Sequence, residues 1–227
     1  MPKKQPLLTL LNILSAVFVI GALILILFFT PEEAQMGAVQ KVFYFHVASA
    51  WAGMLSFVIA AVGGVLYLVK REMRWDWLSL ASIEVGLVFG LAAILSGMIW
   101  AHPIWNTWWV WEPRLTTTAI MELIYLAYFI LRGALNTPEA KARLGAVFAI
   151  VSVITVPLTF FSIRLYRTIH PVVFVSGDSA AFTMSPRMWN AFIASLVAFN
   201  VLLAALIWNR TRLAALQTHN ELEENLP

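Results

Sequence analysis

The chain has 227 residues, 61% of them hydrophobic and only 12% charged, with a mean hydropathy of +0.81. That lies far outside a soluble globular composition. The length gives room for several membrane spans and not for a sizeable soluble domain as well. No cysteine is present, which excludes disulfides, thiolate metal ligation, thioether attachment to the chain itself and cysteine-based zinc sites. The net charge of +3 is small and the basic residues flank apolar runs, a pattern that favours membrane orientation over nucleic-acid binding.

Lys3 and Lys4 precede an uncharged apolar run from Leu7 to Phe29. At 1.5 Å per residue this run is roughly 35 Å long, enough to cross the hydrocarbon core. It is long for the apolar part of a signal peptide, and Thr30-Pro31-Glu32-Glu33 follows it instead of a small-residue cleavage site. A retained first span is expected. The second span is expected over about 42–69, with His46 near its start. Ser56, Ala60 and Gly64 repeat there at the four-residue spacing of a close helix contact. Lys70, Arg71 and Arg74 separate it from a third span, about 77–99, in which Gly86 and Gly90 form a second such stripe. The fourth span is read at about 116–131 and the fifth at about 144–163, with Pro157 expected to kink the fifth. A long loop, 164–187, leads to the sixth span, about 188–208, and the polar tail 209–227 closes the chain as a frayed or disordered end.

This predicts an all-α, polytopic bundle of six transmembrane helices forming one domain, 1–208. An even number of spans puts both termini on one side. Ten Lys and Arg residues fall on the termini's side of the membrane, against Lys41, Arg114, Arg164, Arg167 and Arg187 on the other. The basic excess places both termini in the cytoplasm and the 100–116 and 164–187 loops outside.

The connection after the third span is unusual. Trp100, Trp105, Trp108, Trp109 and Trp111 fall within twelve residues, and Glu112 and Arg114 follow. An interfacial aromatic belt explains one or two tryptophans at a helix end. A run through a loop points instead to a flat apolar platform for a large planar ligand with charged margins.

At these residues the chain resembles the tryptophan-rich, haem-handling family of cytochrome c assembly proteins. The family's signature is Trp-Gly-x-x-Trp-x-Trp-Asp followed by x-Arg-Leu-Thr. Here it reads Trp105-Asn106-Thr107-Trp108-Trp109-Val110-Trp111-Glu112, then Pro113-Arg114-Leu115-Thr116. Asn106 replaces Gly and Glu112 replaces Asp. Asn tolerates positive φ better than most residues, so the Gly-like turn is expected to survive.

Neutral imidazole is a common axial ligand of haem iron. His46 and His170 both fall on the outer side by charge counting alone. The resemblance picks out the same pair, through Phe45-His46-Val47 before Ala50-Trp51 and through Ile169-His170-Pro171. His102 has no counterpart, and His219 lies in the tail. Two or three histidines with no cysteine make a poor zinc set. Among the outer arginines, Arg114 is the best partner for a haem propionate because it belongs to the signature, and Arg pairs carboxylates bidentately. Glu84 and Glu122 lie within spans and stay outside the expected site.

The resemblance extends over the whole length to the six-span member of the family. It implies a haem-binding, non-enzymatic subunit of the cytoplasmic (inner) membrane. Such a subunit holds haem b transiently against His46, His170, Trp105, Trp108, Trp109, Trp111, Glu112 and Arg114. It presents the haem outside and passes it to a membrane-anchored haem chaperone. An ABC-type transporter and a small membrane protein are the other implied partners. No Gly-x-x-x-x-Gly-Lys-Ser/Thr loop is present, so any ATP use falls to a partner. A haem permease and a haem-dependent redox enzyme or lyase are the alternatives.

Overall fold

The structure is a computed structural model and describes residues 5–34, 36–166, 168–170 and 184–224, the last six by backbone alone. α1 spans Pro6–Ile24 and widens into a π turn at Leu25–Phe29. A 3-10 turn at Ala38–Gln40 leads into α2, Lys41–Lys70. α3 spans Met73–Trp105, α4 Pro113–Gly133, α5 Pro138–Ser152, α6 Thr155–Leu165 and α7 Pro186–Glu224. Counting α5 and α6 as one span, the described residues give six helices long and apolar enough to cross a membrane. Each extends past the apolar run that signals it, because helix caps lie in the polar flanks. α7 also runs on past Trp208 through the polar tail to Glu224.

The fifth span breaks where Pro157 predicts. Pro157 has no N–H to give to the carbonyl of Val153, and the helix is interrupted between Ser152 and Thr155. Val156 N–H bonds back to Val153 O at 3.0 Å, so α6 restarts immediately.

α2 and α3 form the most extensive pair, α7 lies against both, and α1 packs mainly on α7. α1 buries only Leu8, Ser15 and Ala22, and most of its other apolar side chains face outward, as lipid-facing side chains do. The small-residue stripes sit at close approaches. A Cβ on Gly64 would lie 2.9 Å from the carbonyl oxygen of Ala146 in α5, so only glycine lets those backbones meet. Phe57, Ala60, Ile83, Met121 and Tyr125 fill the centre, with Phe57 stacked on Tyr125 at 3.6 Å.

At the end away from the tryptophans, Arg132 of α4 makes a bidentate pair with Asp76 of α3, at 2.6 and 3.0 Å, and donates to Tyr128 Oη at 3.1 Å. Glu84 is paired with Arg210 of α7, so it is not an isolated intramembrane charge. At the opposite end α3 stops at Asn106, whose φ of 54° is left-handed. The expected Gly-like turn is present, and it sends the chain back across the bundle toward α4.

Candidate functional site

A cavity of about 400 Å³ opens at the tryptophan end, between α2, α3, α4, α6 and the segment 168–170. That size falls within the range of small-molecule and cofactor sites. His46, Trp105, Trp109, Arg114, Arg164 and His170 line it, among mostly apolar side chains.

His46 is fixed from behind. Its Nδ1 lies 2.9 Å from the carbonyl oxygen of Ala93 on α3. A carbonyl only accepts, so Nδ1 holds the proton and Nε2 keeps a free lone pair. This is the arrangement by which a hydrogen bond behind an imidazole sets its ligating nitrogen. The ring fits because residue 97 is glycine: a Cβ there would come within 2.9 Å of His46 Cε1.

His170 is held by a relay. Its backbone N–H donates to Thr168 Oγ1 at 3.0 Å, and Thr168 Oγ1 donates in turn to Glu112 Oε2. The other oxygen, Glu112 Oε1, accepts the N–H of Leu115 at 2.7 Å and caps α4. Pro113 follows at the first helical position, where a missing N–H costs nothing. His170 Nδ1 is 3.9 Å from Glu112 Oε1, beyond hydrogen-bond reach, and has no partner. Burial, then the positive charge of Arg114, then His46, push the His170 imidazole down from 6.5 to about 3. It is neutral at ordinary pH. The His46 and His170 ring centroids are 6.3 Å apart with their planes at 45°.

The tryptophan run divides. Trp105 and Trp109 line the cavity, Trp105 lying edge-on to both Trp100 and His170. Trp108 stacks on His102 at 4.1 Å on the outside of the turn, half exposed. Trp111 is 78% exposed. His102 therefore supports the outer surface of the loop. Glu112 is buried but does not line the cavity. Arg114 does: its Nη2 donates to Phe160 O at 2.7 Å, and its buried Nε is unpartnered. Of the other arginines expected on the outer side, Arg164 reaches the cavity, Arg187 starts α7 away from it, and Arg167 lies outside the described residues. The side chain of His219 is likewise outside them. No cluster of three metal-binding side chains occurs among the described residues.

Thr168, Gly97 and the Ala93 carbonyl were not singled out by the sequence. Gly97 had a readable signal: Gly86, Gly90 and Gly97 share one face of α3 at helical spacing. Thr168 had a weaker one, a hydroxyl two residues before a loop histidine.

A family model described as "Heme exporter protein C" matches residues 2–225. A "Heme exporter protein C" of Rhodobacter capsulatus is 33% identical over 82% of this chain and 76% of its own. A "Putative cytochrome c biosynthesis ccmC-like mitochondrial protein" of Marchantia polymorpha is 31% identical over 66% of this chain and 63% of its own. A "Heme exporter protein C" of Escherichia coli strain K12 is 27% identical over 72% and 67%.

Proposed function

The chain belongs to the heme exporter protein C family, and on that premise we propose that it is a haem-binding subunit of cytochrome c biogenesis that holds haem b as a transient cargo in the cavity at the tryptophan end. His46 and His170 serve as the axial ligands of the iron. Trp105 and Trp109 wall the macrocycle, and Arg114 pairs with a propionate. Trp108 and Trp111 face the receiving protein. The cavity opens on the outer face of the cytoplasmic membrane, both termini lie inside, and the haem passes to a membrane-anchored haem chaperone. ABC-type transporter subunits and a small membrane protein complete the assembly. The subunit binds and transfers, and catalyses no bond change of its own.

One observation supports this above the rest: the imidazoles of His46 and His170 both line one apolar cavity, with their ring centroids 6.3 Å apart. Imidazoles on opposite sides of one metal, each with a nitrogen–metal bond of about 2 Å, have ring centroids roughly 6 Å apart. Glu112 contributes from outside the cavity, by holding the His170 segment on the start of α4.

The test is absorption and electron paramagnetic resonance spectroscopy of the purified protein with added haem. Wild type should give a six-coordinate, low-spin iron. His46→Ala and His170→Ala should each change the spin state, and the double variant should not retain haem. If His102→Ala shifts the spectrum and neither of the other single variants does, the axial pair is wrong.

The second reading, a permease that passes haem through its own spans, has the broken fifth span in its favour, since interrupted helices accompany substrate paths. Against it, the stacked Phe57 and Tyr125 fill the bundle centre among buried apolar neighbours.

A further inference from the structure

α5 and α6 make one span but are held differently. α5 packs on α2, α3 and α4, and Gly64 lets the α2 backbone meet it at Ala146. α6 packs mainly on α4 and touches α2 only slightly. The two helices join at the break between Ser152 and Thr155. There Thr155 Oγ1 donates to Ser152 O at 2.7 Å and Val156 N–H donates to Val153 O at 3.0 Å, so local bonds replace the helical ladder. Pro157 has no N–H with which to restore it. α6 supplies Thr159, Phe160, Ile163 and Arg164 to the cavity wall. Its opposite face, with Leu158, Phe161 and Leu165, is exposed, so among the described residues no packed layer lies behind that wall. The outer end of α6 is fastened at two points, both at the start of α4. Arg114 Nη2 donates to Phe160 O at 2.7 Å, and Thr168, just past the helix, donates to Glu112.

We propose that α6 is a hinged wall, pivoting at the 152–155 break, whose outward swing carries His170 away from His46 and so releases haem. The release half of this rests on the proposed haem cargo. α6 has 11 residues. At 1.5 Å per residue it is about 16 Å long, so a tilt of about 20°, the size of a proline kink, moves its outer end by roughly 5 Å. That is more than twice a nitrogen–metal bond of about 2 Å. His170 follows soon after the end of α6 and moves with it. His46 stays behind on α2, which makes its most extensive packing with α3. One ligand is thus fixed in the bundle and the other rides on a wall held shut by two polar contacts.

The experiment uses the full-length protein, whose lack of cysteine allows spin labels to be placed at chosen pairs of positions. One label goes at Val88 on α3. The other goes at Val151, before the break, or at Phe161, after it; all three side chains are exposed. Pulsed electron paramagnetic resonance is recorded on the haem-free protein. The Val151 pair should give a narrow distance distribution, and the Phe161 pair one broader by roughly 5 Å, the swing of the helix end. Pro157→Ala returns an N–H to the helix at an exposed position. It should narrow the Phe161 distribution to the width of the Val151 one. In the haem-loaded protein it should slow haem release to apomyoglobin by about threefold or more, because release then waits on a stiffer wall. Its absorption spectrum with haem should stay that of wild type. Equal widths for the two pairs in wild type overturn the hinge. So does a Phe161 distribution, or a release rate, that Pro157→Ala leaves unchanged. If the protein takes up no haem, the proposed cargo fails and the release role fails with it, while the distances still decide the pivot.

Discussion

Thr168 donates its hydroxyl hydrogen to Glu112, so the acid that ends the tryptophan signature is tied to the segment bearing His170, 56 residues further on. One carboxylate does two jobs: Oε1 caps α4 and Oε2 anchors the loop. The loop ligand and the tryptophan turn are thereby positioned by a single side chain.

Glu112→Ala removes both contacts at once. Loss of the cap alone should cost about 1 kcal/mol, seen as a lower thermal midpoint. Loss of the anchor should free His170 and raise the high-spin fraction of bound haem. Glu112→Asp should be tolerated, since Asp caps helices at least as well. A Glu112→Ala protein with an unchanged midpoint and spectrum would remove both roles.

Gly97→Ala tests the seat of His46. The new methyl would meet Cε1 of the imidazole at 2.9 Å, and the ring is pinned from behind by Ala93 O, so the ring has to move. Losing the outer-shell hydrogen bond that orients a ligating histidine typically costs 10- to 100-fold in metal affinity. Haem titration should show a loss of about tenfold or more by that comparison, with normal membrane insertion. Gly133→Ala, where an added methyl meets nothing, is the matched control.

The divided tryptophans should divide in function. Trp105→Ala and Trp109→Ala should weaken retention of haem by the isolated protein. Trp108→Ala and Trp111→Ala should leave retention intact and slow transfer to the chaperone. Equal effects from all four on retention would return the run to a single platform.

Much of this was legible before the structure. Long uncharged runs can only be spans, so their number followed from hydropathy. Asn106 was expected to replace Gly in a left-handed turn, and it does. His46 and His170 were expected together from charge counting and from the resemblance, and their ring centroids lie 6.3 Å apart. What the tryptophan loop does was not legible, because helical periodicity does not apply through a turn: Trp108 and Trp109 are neighbours in sequence, yet only Trp109 lines the cavity. The Glu112–Thr168 contact joins a helix cap to a distant loop, and no local pattern encodes it. Glu122 read as an acid within a span and outside the site, and only the packing of α4 on Gly90 brings it against the cavity.

Orientation can be checked in the same cysteine-free background. Single cysteines at Trp109 and Asn136 should react with an impermeant thiol reagent from opposite sides, Trp109 from outside. Reaction of both from one side would end the six-span arrangement.

The docked His170 should resist protonation. Its imidazole is pushed from 6.5 to about 3 by burial, by Arg114 and by His46, and Glu112 Oε1, at 3.9 Å from Nδ1, is beyond hydrogen-bond reach. When the loop opens, the imidazole returns to the ordinary range. Between about pH 3 and 6.5 the open loop thus binds a proton that the docked loop refuses. By linkage, the state that binds more protons gains as pH falls. Docking is therefore fully favoured above about pH 6.5 and loses roughly tenfold per pH unit below it, down toward 3. The measurement is nuclear magnetic resonance of the haem-free protein labelled with 15N-histidine, with His170→Gln assigning the signal. The His170 resonance should stay neutral well below pH 6.5 and titrate with an apparent midpoint depressed by docking. Glu112→Ala, which frees the loop, should move that midpoint back toward 6.5. A wild-type midpoint already at 6.5 would mean that His170 does not dock in the absence of haem. Its place in the site would then depend on the iron.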